Sequence, residues 1–383
     1  MTRVHDLLIV GAGPVGMALA LALRDRGLDV ALVDGRGRGA SSGDPRVLAL
    51  SRGSCQTLQR LGAWDGLDGT PIRRIHVSQE GGFGRTLIDA GEMGIDALGH
   101  VVRAGDLAQA LDRVLGADGP TVIEGSRVAS IEAGDDDVVV GLDGDRPGAV
   151  RARLVACAEG GIDDSAADVR SRDYGQHALV TLAESERPHD NQAFERFTAG
   201  GPLALLPHGR RYALVHTASP QEATRLAGLD DGAYMAEVDR HMAGRVRLTR
   251  VEARLSFPLT LRYRSKPTGP RTVWLGNAAQ TLHPVAGQGF NLALRDVWAL
   301  AGTILAAGTG DIGEARVLRR YARQRRLDRA ATITVTDTLV RLFSNDIGPL
   351  AAIRGAGLLT LDACPPLRGL LARTMMFGAR AWS

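Results

Sequence analysis

The chain of 383 residues is long enough for two or three domains and carries ample apolar surface for a core. Its net charge of +3 is too small for a nucleic-acid footprint, although a pI near 9.0 would help contact with anionic lipid. Three widely spaced cysteines, Cys55, Cys157 and Cys364, offer neither a disulfide framework nor a metal cluster. No apolar run reaches about 18 residues, so a reducing cytoplasm and no membrane span are expected.

Residues 6–10 read as a short apolar strand, followed by Gly11-Ala12-Gly13-Pro14-Val15-Gly16 and a helix opening at Met17. A second strand over 30–33 ends in Asp34. In this G-x-G-x-x-G pattern Gly11 permits the tight turn and Gly13 lets a pyrophosphate approach the backbone. Gly16 allows close helix–strand packing, and Asp34, about twenty residues on, would accept hydrogen bonds from ribose hydroxyls. A purely structural glycine turn is the competing reading; strand, helix, second strand and acid occurring together argue against it. Residues 35–43 form a glycine-rich loop, and 72–101 look extended and turn-rich, as for strands inserted into a nucleotide domain. Leu107, Leu111 and Leu115 mark a helix by their i, i+4 spacing. The segment 121–155 reads as a meander with a turn at Gly144-Asp145. Residues 173–264 read as a second sheet, interrupted by an amphipathic helix near 233–242.

The densest motif comes next: Gly276-Asn277-Ala278-Ala279-Gln280-Thr281-Leu282-His283-Pro284-Val285-Ala286-Gly287-Gln288-Gly289-Phe290-Asn291. Such a loop brings bare backbone N–H groups to a flat ligand and aims a helix N-terminus at it. The partial positive charge there suits the anionic N1/C2=O edge of a reduced flavin. A dehydrogenase using nicotinamide alone would not need this second ligand loop, so the two motifs together argue for FAD in an extended pose. Gly287, Gln288, Gly289 and Phe290 would supply the donors, and Pro284 would keep the loop rigid beside the ring. His283 could hydrogen-bond substrate or relay a proton, or it could be a structural partner of a backbone carbonyl. The catalytic candidates are therefore His283, Pro284, Gly287 and Gln288.

From Asn291 onward the chain reads as helical. Residues 346–383 alternate apolar clusters with Arg354, Arg368, Arg373 and Arg380, as in amphipathic helices interrupted at Pro365-Pro366. One reading is a membrane-surface or partner-docking element; the other is a helical cap on the flavin domain. Gly355 and Gly357 weaken the helix and favour the cap.

Further segments carry a family likeness. They are Asp44-Pro45-Arg46-Val47-Leu48-Ala49-Leu50-Ser51, residues 71–78, 83–89 and 101–107, Glu195-Arg196-Phe197-Thr198, residues 201–207 and the second glycine loop. On them the chain resembles the single-component flavin aromatic hydroxylases. Within these it is most similar to the ubiquinone-biosynthesis FAD-dependent hydroxylases, among them the 2-octaprenyl-6-methoxyphenol hydroxylases. The likeness spans most of residues 4–330, and Asn277, where many flavin hydroxylases carry Asp, is typical of the subgroup. No Trp-x-Trp pair is present, which disfavours flavin halogenases.

The resemblance implies an α/β, p-hydroxybenzoate hydroxylase-like fold. A discontinuous Rossmann-like FAD-binding domain would take residues 1–71, 102–172 and 265–330. A substrate-binding sheet region would take 72–101 and 173–264, and a helical segment 331–383. The implied cofactor set is Gly11, Gly13, Gly16, Asp34, Arg46, Arg103, Glu159, Gly276, Asn277, Gly287, Gln288, Gly289, Phe290 and Asn291. Arg46 and Arg103 enter on the family pattern, near the isoalloxazine and pyrophosphate; each could instead form a surface or inter-domain ion pair. One departure stands out. The family has Ala-Asp-Gly where this chain has Ala158-Glu159-Gly160, followed by residues 161–165. The added methylene would place the carboxylate differently and lower FAD affinity or the speed of flavin reduction.

The implied chemistry is the cofactor's: NADPH or NADH reduces FAD, O2 adds at C4a, and the hydroperoxide passes oxygen to an electron-rich aromatic carbon while the protein excludes water. Three functions follow. The leading one is hydroxylation of a polyprenylated (methoxy)phenol in ubiquinone biosynthesis. The second is the same chemistry on a soluble phenol or polyketide, and the third a non-catalytic flavoprotein subunit of a quinone-synthesis complex. The expected partners are an aromatic substrate and O2 but no nucleic acid. The expected place is the cytoplasm, with peripheral contact to the inner face of the cell membrane, or to a quinone-synthesis complex, through the C-terminal segment.

Overall fold

The computed structural model describes residues 3–116, 119–162, 166–343 and 348–378. Strand β1 (Val4–Val10) turns into helix α1 (Pro14–Ala22), and β2 (Val30–Val33) follows. Pro14 at the first helical position removes only an N–H that has no helical partner. Next come β3 (Val47–Ser51) and α2 (Arg52–Arg60), whose N-cap Ser51 accepts a hydrogen bond from Ser54 N. Strand β4 (Arg74–Gln79) pairs with residues Arg85–Asp89, and β5 (Gly99–Arg103) leads into α3 (Ala104–Leu115). Leu107, Leu111 and Leu115 are buried along one stripe of α3, as their spacing requires. A meander then ends in β6 (Gly148–Cys157).

The 17-residue strand β7 (Val169–Ser185) carries the chain into a second sheet, continued by β8 (Gln192–Thr198), β9 (Gly201–His208) and β10 (Arg211–Ala218). Helices α4 (Pro220–Ala227) and α5 (Asp231–Met242) follow, each with a side-chain cap, from Ser219 and Asp230. The helix expected near 233–242 is α5; α4, unexpected, precedes it. Strand β11 (Leu255–Arg264) returns, and β12 (Thr272–Trp274) rejoins the first sheet. The chain closes with α6 (Gln288–Leu305), α7 (Ala315–Phe343), α8 (Gly348–Ala363) and α9 (Pro365–Phe377).

In the first sheet β1 lies between β2 and β6, and β6 pairs with β12, all in parallel. Leu7, Ile9, Leu32 and Leu154 on one face pack against Leu19 of α1, Leu107 and Leu111 of α3, and Leu294, Val297 and Leu300 of α6. Each such side chain contributes about 1.5–3 kcal/mol by leaving water. The second sheet has nine strands, with β11-β7-β10-β9-β8-β4 at its centre. Its outer face packs Leu179, Phe194, Leu203, Leu205 and Leu214 against Tyr234, Val238 and Met242 of α5.

Residues 72–101 do not behave as one insertion. Strand β4 and its hairpin partner join the nine-stranded sheet, whereas β5 pairs with β3 and Thr70–Ile72 in a separate three-stranded sheet. The Pro365-Pro366 pair opens α9 instead of merely interrupting a helix. Ala372 and Met376 of α9 pack on Ala90 and Leu98, and a Cβ at Gly53 would meet Met376 O at 2.7 Å. The C-terminal helices thus cap the small sheet and α2. Asp163, Asp164, Ser165 and Arg380 lie outside the described residues.

Candidate active site

Three loops meet at the C-terminal ends of parallel strands. Gly11 N donates to Val33 O at 2.7 Å, Ala158 N to Val10 O at 2.7 Å, and Leu275 N to Cys157 O at 2.9 Å. These bonds bring Gly11, Glu159 and Gly276 to one edge, where open α/β sheets bind dinucleotides. Gly11 has φ +102°, and a Cβ on it would lie 2.7 Å from Glu159 N; one on Gly16 would lie 1.9 Å from Gly11 O. Both positions therefore require glycine. Gly13 caps α1 and has open space on its Cβ side, which leaves the helix N-terminus free to receive a phosphate.

Asp34 is 6% exposed and accepts hydrogen bonds from Ala12 N at 2.7 Å and Arg36 N at 2.8 Å. An ionised carboxylate has about four acceptor sites, and a longer bond from Arg36 Nε at 3.4 Å takes the third, so one remains for a ribose hydroxyl. A cleft opens beside it between Ala12, Met17, Ser41 and Ala108. Glu159 is exposed, and an added Cβ on the adjoining Gly160 would stand 3.9 Å from Asn277 Nδ2, so the turn that carries the substituted acid lies beside Asn277.

The small sheet places the two arginines together. Val47 is registered with Arg103, and Ala104 N donates to Arg46 O at 2.8 Å. Arg46 pairs with Asp44 at 2.6 Å, with its own side chain 61% exposed. An ion pair this exposed is worth about 0–1 kcal/mol, so a pyrophosphate could take Arg46 over at little cost.

The second glycine loop is stapled to β3. Gly287, at φ +58°, caps α6 in the left-handed conformation, and a Cβ there would meet the Ala49 Cβ at 3.0 Å. Asn291 is 1% exposed, and all four of its hydrogen-bonding capacities go to protein. Its Nδ2 donates to Ala49 O and Gly287 O, and its Oδ1 accepts from Ser51 N and Ser54 Oγ. The Asn291 side chain therefore holds the loop and has nothing left for a cofactor. Gln288 is buried, and Gly289 has open space on its Cβ side. The first N–H groups of α6, those of Gly289 and Phe290 among them, point out of the helix N-terminus. Gly276, at φ +55°, lets the loop close on Val15 of α1.

His283 is 1% exposed, and burial lowers its pKa to about 4, so the ring is neutral. Its Nδ1 accepts from Val285 N at 3.1 Å, and the ring stands edge-on to Tyr174 at 5.3 Å. The backbone partner is thus an N–H and not a carbonyl, and a neutral, enclosed imidazole is poorly suited to relaying protons. Pro284 is exposed at the head of the loop, its carbonyl accepting from Gly287 N.

A buried charge network behind this loop escaped the sequence. Arg325 Nε binds Asp296 Oδ1 at 2.5 Å, and Asp328 Oδ2 pairs with both Arg325 and Arg295. Gln280 Nε2 donates to Asp296 at 2.8 Å, while Arg329 donates to Gln280 Oε1 and to Arg264 O and Ala279 O. The network locks α6, α7 and the Gly276 turn into one unit. Its only trace in the sequence is the spacing of Arg325, Asp328 and Arg329 on one helical face.

These features fit FAD: a glycine-lined helix terminus for pyrophosphate, a spare carboxylate acceptor for ribose, and a second helix terminus for the ring. When bound, FAD supplies the redox and oxygen-transfer chemistry. Among the described residues no group of His, Cys, Asp and Glu could hold a metal ion, and no helix is long and apolar enough to cross a membrane.

Comparison with known proteins agrees. Residues 4–336 match the FAD binding domain family. Ubiquinone hydroxylase UbiL of Rhodospirillum rubrum is 36% identical over 98% of this chain and 90% of its own. The 3-demethoxyubiquinol 3-hydroxylase of Escherichia coli is 31% identical over 95% of this chain and 96% of its own. Among solved structures, p-nitrophenol 4-monooxygenase PnpA of Pseudomonas putida has a TM-score of 0.78 at 17% identity, covering 99% of this chain and 100% of that one. Fold and site define an FAD-dependent aromatic hydroxylase with the class A flavin monooxygenase architecture. The chain belongs to the ubiquinone-biosynthesis family of these FAD-dependent hydroxylases.

Proposed function

We propose that the protein hydroxylates a polyprenylated (methoxy)phenol in ubiquinone biosynthesis, consuming NADPH or NADH and O2. The observation that carries this reading is an apolar track across the inner face of the nine-stranded sheet. Ala204, Val215 and Val180 lie in register on β9, β10 and β7, each partly exposed although its strand is central. The track continues to Leu255 and Phe257 of β11, which are 45% and 39% exposed at the rim. A phenol head held near the second glycine loop would lay its prenyl tail along this track and out at the rim. Soluble phenols gain nothing from it. In the same proposal, Phe83, Ile353, Leu367 and Leu370, all exposed on or beside the C-terminal helices, support contact with the cytoplasmic face of a membrane or with a quinone-synthesis complex.

Purified FAD-loaded protein should oxidise NAD(P)H at least about tenfold faster with a methoxyphenol bearing one isoprene unit than without it, yielding a product one oxygen heavier. A soluble phenol without the prenyl unit that works equally well would move the assignment to soluble aromatics. No stimulation by either would favour the non-catalytic reading.

A further inference from the structure

Glu195 lies on β8 with Ala193 and Phe197 on the same face of the sheet, by strand alternation. Ala193 packs in a cluster with Val47 and Ala49, and Ala49 is the residue that a side chain on Gly287 would strike. Phe197 packs in a cluster with Val285 of the same loop. Glu195 is thus bracketed by two residues that each reach the wall of the second glycine loop. Laterally it is registered with Val77 of β4 and with Ala204, the start of the apolar track. An ionisable group stands at the inner end of an otherwise apolar row.

Its Oε1 is enclosed and has no hydrogen-bond partner among the described residues, while the residue as a whole stays partly exposed. Unmet hydrogen-bonding capacity at a buried carboxyl is costly, and burial alone pushes its pKa up to about 7. The titratable groups on the elements packed over this face are Arg46, Arg103, His283, Tyr174, Asp337 and Arg354; none contributes to that displacement. Tyr174 already donates to Asp337, so it does not serve the carboxyl.

We propose that Glu195 receives the phenolic hydroxyl of the substrate and anchors the aromatic head across from the second glycine loop. This rests on the phenol-hydroxylase reading above. The phenol O–H donates to the Glu195 carboxylate, whose terminal torsion turns cheaply to present either oxygen. As the ring becomes electron-rich, the proton passes from the phenol oxygen to a Glu195 carboxyl oxygen. The phenol O–H bond breaks, the carboxyl O–H bond forms, and the freed electron pair enriches the ortho and para carbons. The apolar neighbours keep water from competing for the carboxylate.

The test uses FAD-loaded protein, the one-isoprene methoxyphenol and its O-methyl ether, with binding read from the flavin visible spectrum and no turnover. The wild type should bind the phenol on the order of ten- to a hundredfold more tightly than the ether, the range expected for a hydrogen bond to a charged group. That preference should weaken as pH falls through about 7 and Glu195 takes up a proton. In Glu195→Gln and Glu195→Ala it should collapse to less than about threefold at every pH. Equal binding of phenol and ether by the wild type overturns the proposal without any variant, so misfolding of a variant cannot shield it. An unchanged preference in flavin-replete Glu195→Gln overturns it as well. If the wild type neither binds nor hydroxylates the phenol, the phenol-hydroxylase reading itself has failed.

Discussion

Replacing Gly287 with valine is expected to strip FAD from the protein. Gly287 sits at φ +58°, a region that costs an ordinary L residue about 1–2 kcal/mol and a β-branched one more. Its Cβ would also press the Ala49 Cβ at 3.0 Å, and overpacking of this kind adds about 1–3 kcal/mol. The strain is relieved by moving the loop off β3, which tears Asn291 Nδ2 from Gly287 O and swings the first N–H groups of α6 away from the ring. At about 1.4 kcal/mol per factor of ten, a combined cost of about 3–4 kcal/mol lowers FAD affinity on the order of a hundredfold or more. The flavin-to-protein absorbance ratio after gel filtration reads this directly, with Gly287→Ala falling between. Full flavin content in Gly287→Val would contradict the placement of the ring at this loop.

Asp296→Ala is expected to lower stability more than any surface charge change. The substitution leaves Arg325, 7% exposed, with its best partner gone and takes the acceptor from Gln280 Nε2. Breaking a buried ion pair by removing one partner costs about 3–5 kcal/mol, because the remaining charge stays buried. For a protein of this size that corresponds to a fall in Tm of about 4–6 °C by scanning calorimetry. Glu222→Gln, which breaks a pair with Arg225 between two half-exposed side chains, should move Tm by less than about 1 °C. Restoring neutrality with Asp296→Leu and Arg325→Met together should recover part of the loss. Equal effects of Asp296→Ala and Glu222→Gln would show that the network does not hold the loop.

What the sequence revealed and what it hid have physical reasons. Gly11, Gly16 and Gly287 were legible because backbone conformation or close approach forbids a side chain there, and such constraints act within a few residues. Helix α3 was legible from the stripe of Leu107, Leu111 and Leu115. The small sheet was not, because β3 and β5 pair across some fifty residues with no local signature of the partnership. Asp296, Arg325 and Asp328 carry no signal of burial in the sequence; only the packing of α6 on α7 brings them together. Asn291 reads as a ligand at a helix start, yet its bonds go to β3 and α2. Glu195 shares its face with Ala193 and Phe197, but nothing local says what covers that face; only the elements folded over the sheet enclose it.

The most direct test of the central claim is the quinone-lipid mass profile of a strain lacking this gene and any second flavin hydroxylase of the family, grown with oxygen. A prenylphenol one oxygen short should accumulate, and restoring the gene should clear it. A quinone pool unchanged by the deletion would contradict a hydroxylase of ubiquinone biosynthesis.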